Sequence, residues 1–249
     1  MRLTSRAALA VAGRFHLLRR PALPTHIKPL LASASSQYFS LLAGTLTLML
    51  LEVVDTTFAA LQGAGTVAAV NYASKLSVLV LGFVGTALAT AVVPTYARLR
   101  ATGTIADQTR FLRFGETLTF AGGAVLALLL AWLSTDIVTL VFNRGRFGGE
   151  DVAAVSTLNA LYVLQAPAYL VGVIYGRLLL VEGQSRALFA GAILSVVCAV
   201  AANLVLGPIM GGAAIPVAAA IAYIASAIWL RVRLAGLMRE RRAAGGIDV

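Results

Sequence analysis

The chain has 249 residues, 59% hydrophobic and only 12% charged, with mean hydropathy +0.88 and a formal charge of +10 from twenty Lys and Arg against ten Asp and Glu. A soluble domain carries about 25% charged residues, so too few polar side chains are present to cover a water-facing surface of this size. A water-soluble fold is excluded, and nucleic acid is not an expected partner, because the basic residues fall between apolar runs and form no aromatic-interleaved patch.

In chain order, residues 1–36 form a basic segment whose short apolar stretch, Ala7 to Ala12, is interrupted at Gly13-Arg14. That stretch is short for a signal-peptide core and no small-residue cleavage site follows, so it reads as a cytoplasmic, interfacial segment. Six apolar segments then follow, at 37–61, 68–94, 115–141, 153–180, 186–206 and 212–230. At about 1.5 Å per residue each can cross a hydrocarbon core about 30 Å thick. The expected architecture is an all-α integral membrane protein with a six-transmembrane-helix lobe over 37–231 and a basic cytoplasmic tail over 232–249.

The separators carry turn chemistry, as in Gln62-Gly63-Ala64-Gly65 and Glu182-Gly183-Gln184-Ser185. Six basic residues precede the first span (Arg2, Arg6, Arg14, Arg19, Arg20, Lys28), and four lie between the second and third (Arg98, Arg100, Arg110, Arg113). Arg177 and Arg186 flank the turn between the fourth and fifth, and five more (Arg231, Arg233, Arg239, Arg241, Arg242) follow the sixth. The opposite loops hold only Arg144 and Arg146, which predicts a multi-pass inner-membrane protein with both termini cytoplasmic. Gly82, Gly85, Thr86 and Ala89, and the pair Gly122-Gly123, read as close-packing seams, and Pro94, Pro167 and Pro216 as sites of helix bends.

Ionisable groups inside a bilayer cost about 2.5–3.5 kcal/mol each on insertion scales, so the few that remain need a reason. Glu52 and Asp55 lie three apart on the first span, and Asn71 and Lys75 four apart on the second. Asp55 lies ten residues before Gly65 and Lys75 ten after it, which puts them at similar depth in an antiparallel hairpin. Two readings stay open: both face a shared polar cavity that meets a cation or an anionic substrate, or they form a static ion pair. Further polar candidates are Thr56, Gln165, Tyr169 and Asn203, while Asp136 near an outer helix end is expected to snorkel. Cys198, His16 and His26 have no ligand set around them, and no catalytic or phosphate-cradling motif is present. The chain is not expected to be an enzyme or to carry a cofactor.

Three stretches carry a family resemblance. Val53 to Leu99 is similar to the aspartate-containing helix, glycine turn, "YADRL"-like segment and "GVALATxxLP" helix of MurJ/MviN-type lipid II flippases, within the multidrug/oligosaccharidyl-lipid/polysaccharide exporter superfamily. Ile137 to Val152 resembles the family's "RGxF" segment, and the last helix pair resembles its counterpart around the Pro208–Gly211 turn. The resemblance implies the second of two pseudo-symmetric lobes that rock to give alternating access. It also implies a lipid-linked sugar as cargo, with Lys75 in the place of a basic residue facing the diphosphate, Asn71 beside it, and Arg144 and Arg146 at the outer mouth. Ser74 stands where the family has an Asp.

Some members hold sodium through an Asp on this lobe's first helix, so Asp55, with Glu52 and Asn203, becomes the ion-coupling or metal candidate, although Val217 stands where a Thr is expected. A partner first-lobe chain, a second copy, or a truncated gene product would account for the length. A drug or polysaccharide/O-antigen exporter and a non-transporting scaffold are the alternative readings. Membrane lipids are expected partners in every case.

Overall fold

The computed structural model describes residues 27–63, 65–143 and 147–243. These divide between the units Met1–Ser36 and Gln37–Val249, and the packing below belongs to the second. The elements are α1 (Ile27–Leu61), α2 (Thr66–Thr102), α3 (Ile105–Trp132), α4 (Ser134–Phe142), α5 (Gly149–Val163), α6 (Ala166–Val181), α7 (Ser185–Met210) and α8 (Ala214–Ala243), with a 3₁₀ turn at Gly211–Ala213 before α8. No strand occurs among the described residues.

Local chemistry sets the helix ends. Gly63 and Gly65 take φ of 114° and 89°, a left-handed backbone that turns α1 into α2. The Gly103 N–H donates to Leu99 O (2.9 Å) and closes α2. Thr104 and Asp107 then form a reciprocal capping box that starts α3. Gly211, at φ 59°, ends α7.

Four stretches are long and apolar enough to cross a membrane: Tyr38–Leu61, Thr66–Thr102, Ile105–Trp132 and the 59-residue run Ser185–Ala243. A fifth is the pair α5 and α6, bent by 46°. The Ser185–Ala243 run is two spans, because α7 and α8 fold back on each other along their length. Trp229 donates to Ala187 O (3.0 Å) and Ser195 to Ala222 O (3.4 Å), the pattern of an antiparallel hairpin. The all-α lobe therefore has the six crossings expected from the apolar runs.

Two spans differ in detail from the expected segments. The third is interrupted at Leu133, where α3 hands over to the short α4. The fourth breaks at Leu164-Gln165, because Pro167 at the start of α6 has no N–H for the preceding turn. Past residue 231 the helix continues to Ala243, and Leu234 and Met238 are buried in the core at that end. The N-terminal residues 1–26 and the last six, 244–249, lie outside the described residues.

Small residues share the interior with large ones such as Tyr96, Leu170 and Leu178, and the surface also carries large apolar side chains, unlike that of a soluble fold. Ala59, Ala73, Ala166, Ala199, Ala218 and Ala222 are buried, while Phe83 and Ile209 are 79% exposed. Lipid gives little hydrophobic reason for helices to associate, so close backbone approach at small residues contributes to packing. A Cβ at Gly123 would lie 2.9 Å from Pro167 Cα, which is how α3 meets the α5–α6 break, whereas one at Gly122 would meet nothing. Gly85 likewise packs against Tyr169 and Leu170, while Gly82 faces open space.

Helix α2 packs on α5 and α6, α3 on α6, and α8 on α6 and α7, but α1 has only sparse close approaches to the other helices. It runs parallel to α7: a Cβ at Gly44 would be 3.5 Å from Phe189 Cα, and Gln62 Nε2 lies 3.5 Å from the corresponding position of Gly207.

Candidate functional site

The stand-off of α1 from α2 leaves a cavity of about 480 Å³ between them, closed behind by α5, the α5–α6 break and α8. Glu52, Asp55 and Thr56 line it from α1, and Asn71, Ser74 and Lys75 from α2. Tyr162, Gln165 and Tyr223 form its back wall. The two polar pairs on the first helical hairpin thus share one space. Glu52 and Lys75 are exposed to it, and Asn71 and Asp55 are half-buried.

Asp55 and Lys75 are not ion-paired. The described ion pairs are Arg100–Glu182, Arg231–Glu116 and Arg241–Glu182. Asp55 instead accepts through Oδ2 from the Tyr162 hydroxyl at 3.0 Å. The static-pair reading fails because α1 is held to α5 and not pressed against α2. Asp55 Oδ1 and Gln165 Oε1 are both buried without a hydrogen-bond partner. Leaving such an atom unsatisfied costs about 1–3 kcal/mol, so two in one cavity mark a place where acceptors await a donor or a cation.

Asn203 does not line this cavity. Its Nδ2 donates to Ala199 O within α7 (2.9 Å), and its Oδ1 is a third buried acceptor without a partner. Asp55 and Gln165 thus share a cavity, whereas Asp55 and Asn203 do not. Among the described residues no group of three His, Cys, Asp or Glu is placed to hold a metal. Arg144 and Arg146 lie outside the described residues. Thr56 bonds back to Glu52 O (2.7 Å), Tyr169 packs edge-on to Tyr223, and Asp136 is exposed in the first turn of α4.

Sequence reasoning missed three polar clusters. Ser77 donates to Asn159 Oδ1 (3.1 Å), Asn159 Nδ2 to Ser134 Oγ (2.9 Å), and Ser134 to Ser156 O (2.7 Å), a buried chain joining α2, α5 and α4. Glu182, read only as a turn residue, has a side chain 1% exposed and accepts from Tyr96 Oη (2.9 Å), Arg100 and Arg241. Glu116 accepts from Tyr175 Oη (2.7 Å) and Arg231 Nε (2.9 Å). Neither carboxylate stands out in the sequence, since Glu116 follows Arg110 and Arg113 closely and Glu182 sits in a turn beside Gly183.

The family model described as lipid II flippase MurJ matches residues 7–241. Similar sequences include a probable lipid II flippase MurJ of Rhizobium meliloti, 33% identical over 155 residues, covering 61% of this chain and 27% of that protein. The lipid II flippase MurJ of Burkholderia cenocepacia is 28% identical over 162 residues, covering 65% and 29%. The chain thus matches less than a third of the length of these two relatives.

Among solved structures, a lipid II flippase MurJ in an inward closed conformation superposes with TM-score 0.68 at 19% identity, over 77% of this chain and 40% of that one. A MOP superfamily transporter from Pyrococcus furiosus gives TM-score 0.67 at 12% identity, over 81% and 44%. At these identities the likeness concerns the fold alone, over less than half of each solved chain.

Proposed function

Given that this chain belongs to the lipid II flippase MurJ family, we propose that it supplies the second lobe of a flippase that carries an undecaprenyl-diphosphate-linked cell-wall precursor to the outer leaflet. The observation that carries this reading is the cavity in which Lys75 and Asn71 face Asp55 without pairing to it. An unpaired ammonium at depth suits a diphosphate, which it contacts as a point charge, and Asn71 adds a hydrogen-bond donor beside it. Arg144 and Arg146 draw the headgroup toward the outer mouth.

Asp55 is the ion-coupling residue, with Glu52 next to it on α1 and Gln165 completing its oxygen set. Both termini face the cytoplasm, by the weight of arginine at that end. The other wall of the transport cavity comes from a first-lobe chain or a second copy. Cationic drug export is the second reading, favoured by the two carboxylates, Glu52 and Asp55, that share the cavity with a single Lys.

The test is rescue of growth in cells depleted of their flippase, with a first lobe co-supplied. The wild-type chain restores growth and outer-leaflet precursor, and Lys75→Ala restores neither although it reaches the membrane. Full rescue by Lys75→Ala removes the basis of the anion-contact reading.

A further inference from the structure

At the end of the bundle away from the Gly65 turn, α3, α6 and α8 enclose a second groove of about 400 Å³. Arg113 enters it from α3, and Arg231, Arg239 and Arg242 from α8. Among the described residues Glu116 is the only carboxylate in its lining, and that group is already engaged by Arg231 and Tyr175. Arg113, Arg239 and Arg242 have no carboxylate within ion-pair distance among the described residues. Three like charges line it with no paired carboxylate among the described residues, while the floor is apolar: Leu112, Leu234 and Met238.

The groove opens onto a lipid-facing surface. Phe114 and Leu118 on α3 and Ile228 and Val232 on α8 are exposed large apolar residues within about four turns of the arginines. We propose that this groove binds the phosphate headgroup of an anionic phospholipid, with its acyl chains lying along α3 and α8. Guanidinium forks bond phosphate oxygens in pairs, and basic pockets between membrane helices take anionic headgroups on this physical ground. The apolar floor, continuous with the lipid-facing side, selects a lipid over soluble phosphate, which would gain nothing from it. The site lies at the opposite end of α2 from Lys75 and is separate from the cargo cavity.

Native mass spectrometry of the purified full chain in detergent tests this with phosphatidylglycerol, cardiolipin and phosphatidylcholine as probes. The two anionic lipids are retained in preference to phosphatidylcholine. The Arg113→Gln, Arg239→Gln, Arg242→Gln triple variant loses about a hundredfold in their apparent affinity, at about tenfold per 1.4 kcal/mol and roughly one such step or less per arginine. A charge-matched triple at exposed positions outside the groove (Arg98→Gln, Arg110→Gln, Arg177→Gln) stays within about twofold.

If the groove triple unfolds, Arg113→Gln alone carries the test with a loss of about fivefold, since its side chain has no hydrogen bond or ion pair among the described residues. Equal retention by the wild type and the groove variants overturns the proposal. So does displacement of the lipid by millimolar inorganic phosphate alone, or a preference for undecaprenyl diphosphate that depends on the same arginines.

Discussion

Tyr162 donates its hydroxyl to Asp55 Oδ2 at 3.0 Å, joining helices whose contact residues lie 107 positions apart in the chain. Helix α1 otherwise approaches the bundle only sparsely, so this bond sets where the Asp55 carboxylate sits. It points one oxygen to the tyrosine and leaves the other in the cavity without a partner.

Removing that hydroxyl leaves both carboxylate oxygens unsatisfied. Tyr162→Phe is expected to destabilise the lobe by about 1–3 kcal/mol and to loosen α1 first. Thermal unfolding in detergent reads the first effect. Faster labelling of a cysteine placed at Thr56 reads the second. A variant as stable as the wild type, with unchanged labelling, would show that α1 is held by other contacts.

Glu182 collects Tyr96 from α2, Arg100 from α2 and Arg241 from α8 around a side chain that is 1% exposed, while the two arginines are 40% and 37% exposed. Breaking a fully buried pair costs about 3–5 kcal/mol, but half-exposed guanidiniums can turn to water, so Glu182→Gln is expected to cost about 1–3 kcal/mol. The loss should appear as earlier proteolysis after Arg231 in the α8 extension. Glu240→Gln, on the exposed side of the same helix, should behave as wild type. Equal protease sensitivity of the two variants would contradict the assigned role of Glu182.

Much of this was legible in the chain because transmembrane burial is a one-dimensional property. Apolar run length gave the six crossings, and equal distance from Gly65 brought Asp55 and Lys75 to one cavity. The same symmetry argument could not foresee that Tyr162 would take Asp55, since that partner comes from three spans further along the chain. Nor could it reveal Glu182 as a buried junction, because in the sequence that residue sits in a turn, next to a glycine. The break at Leu164-Gln165 follows from Pro167, but the burial of the unpartnered Gln165 oxygen depends on how α6, α1 and α8 come together.

Gly123 offers a clean test of small-residue packing. Its Cβ would meet Pro167 Cα at 2.9 Å, backbone against backbone, where neither atom can rotate away. Gly123→Ala should cost about 1–3 kcal/mol by overpacking, whereas Gly122→Ala, with nothing in reach, should be neutral or slightly stabilising through helix propensity. Melting temperatures of the two variants in one detergent decide the matter. Equal values would mean that α3 and α6 can part at no cost.

The last prediction separates the charges in the cavity. Lys75 and Asp55 do not pair, so their removal should have different consequences and not the common one expected of a broken ion pair. Lys75→Ala should lower transport by at least about tenfold at any sodium concentration, and Lys75→Arg should keep most of it, because either side chain presents a cation to phosphate. Asp55→Asn should leave binding of an undecaprenyl diphosphate probe near wild type while removing the dependence of transport on the ion gradient. The double variant Lys75→Ala, Asp55→Asn should then show both defects together. Were the double variant to recover what each single variant lost, the two residues would be acting as a neutralising pair during the transport cycle, and the division of labour between anion contact and ion coupling would have to be abandoned.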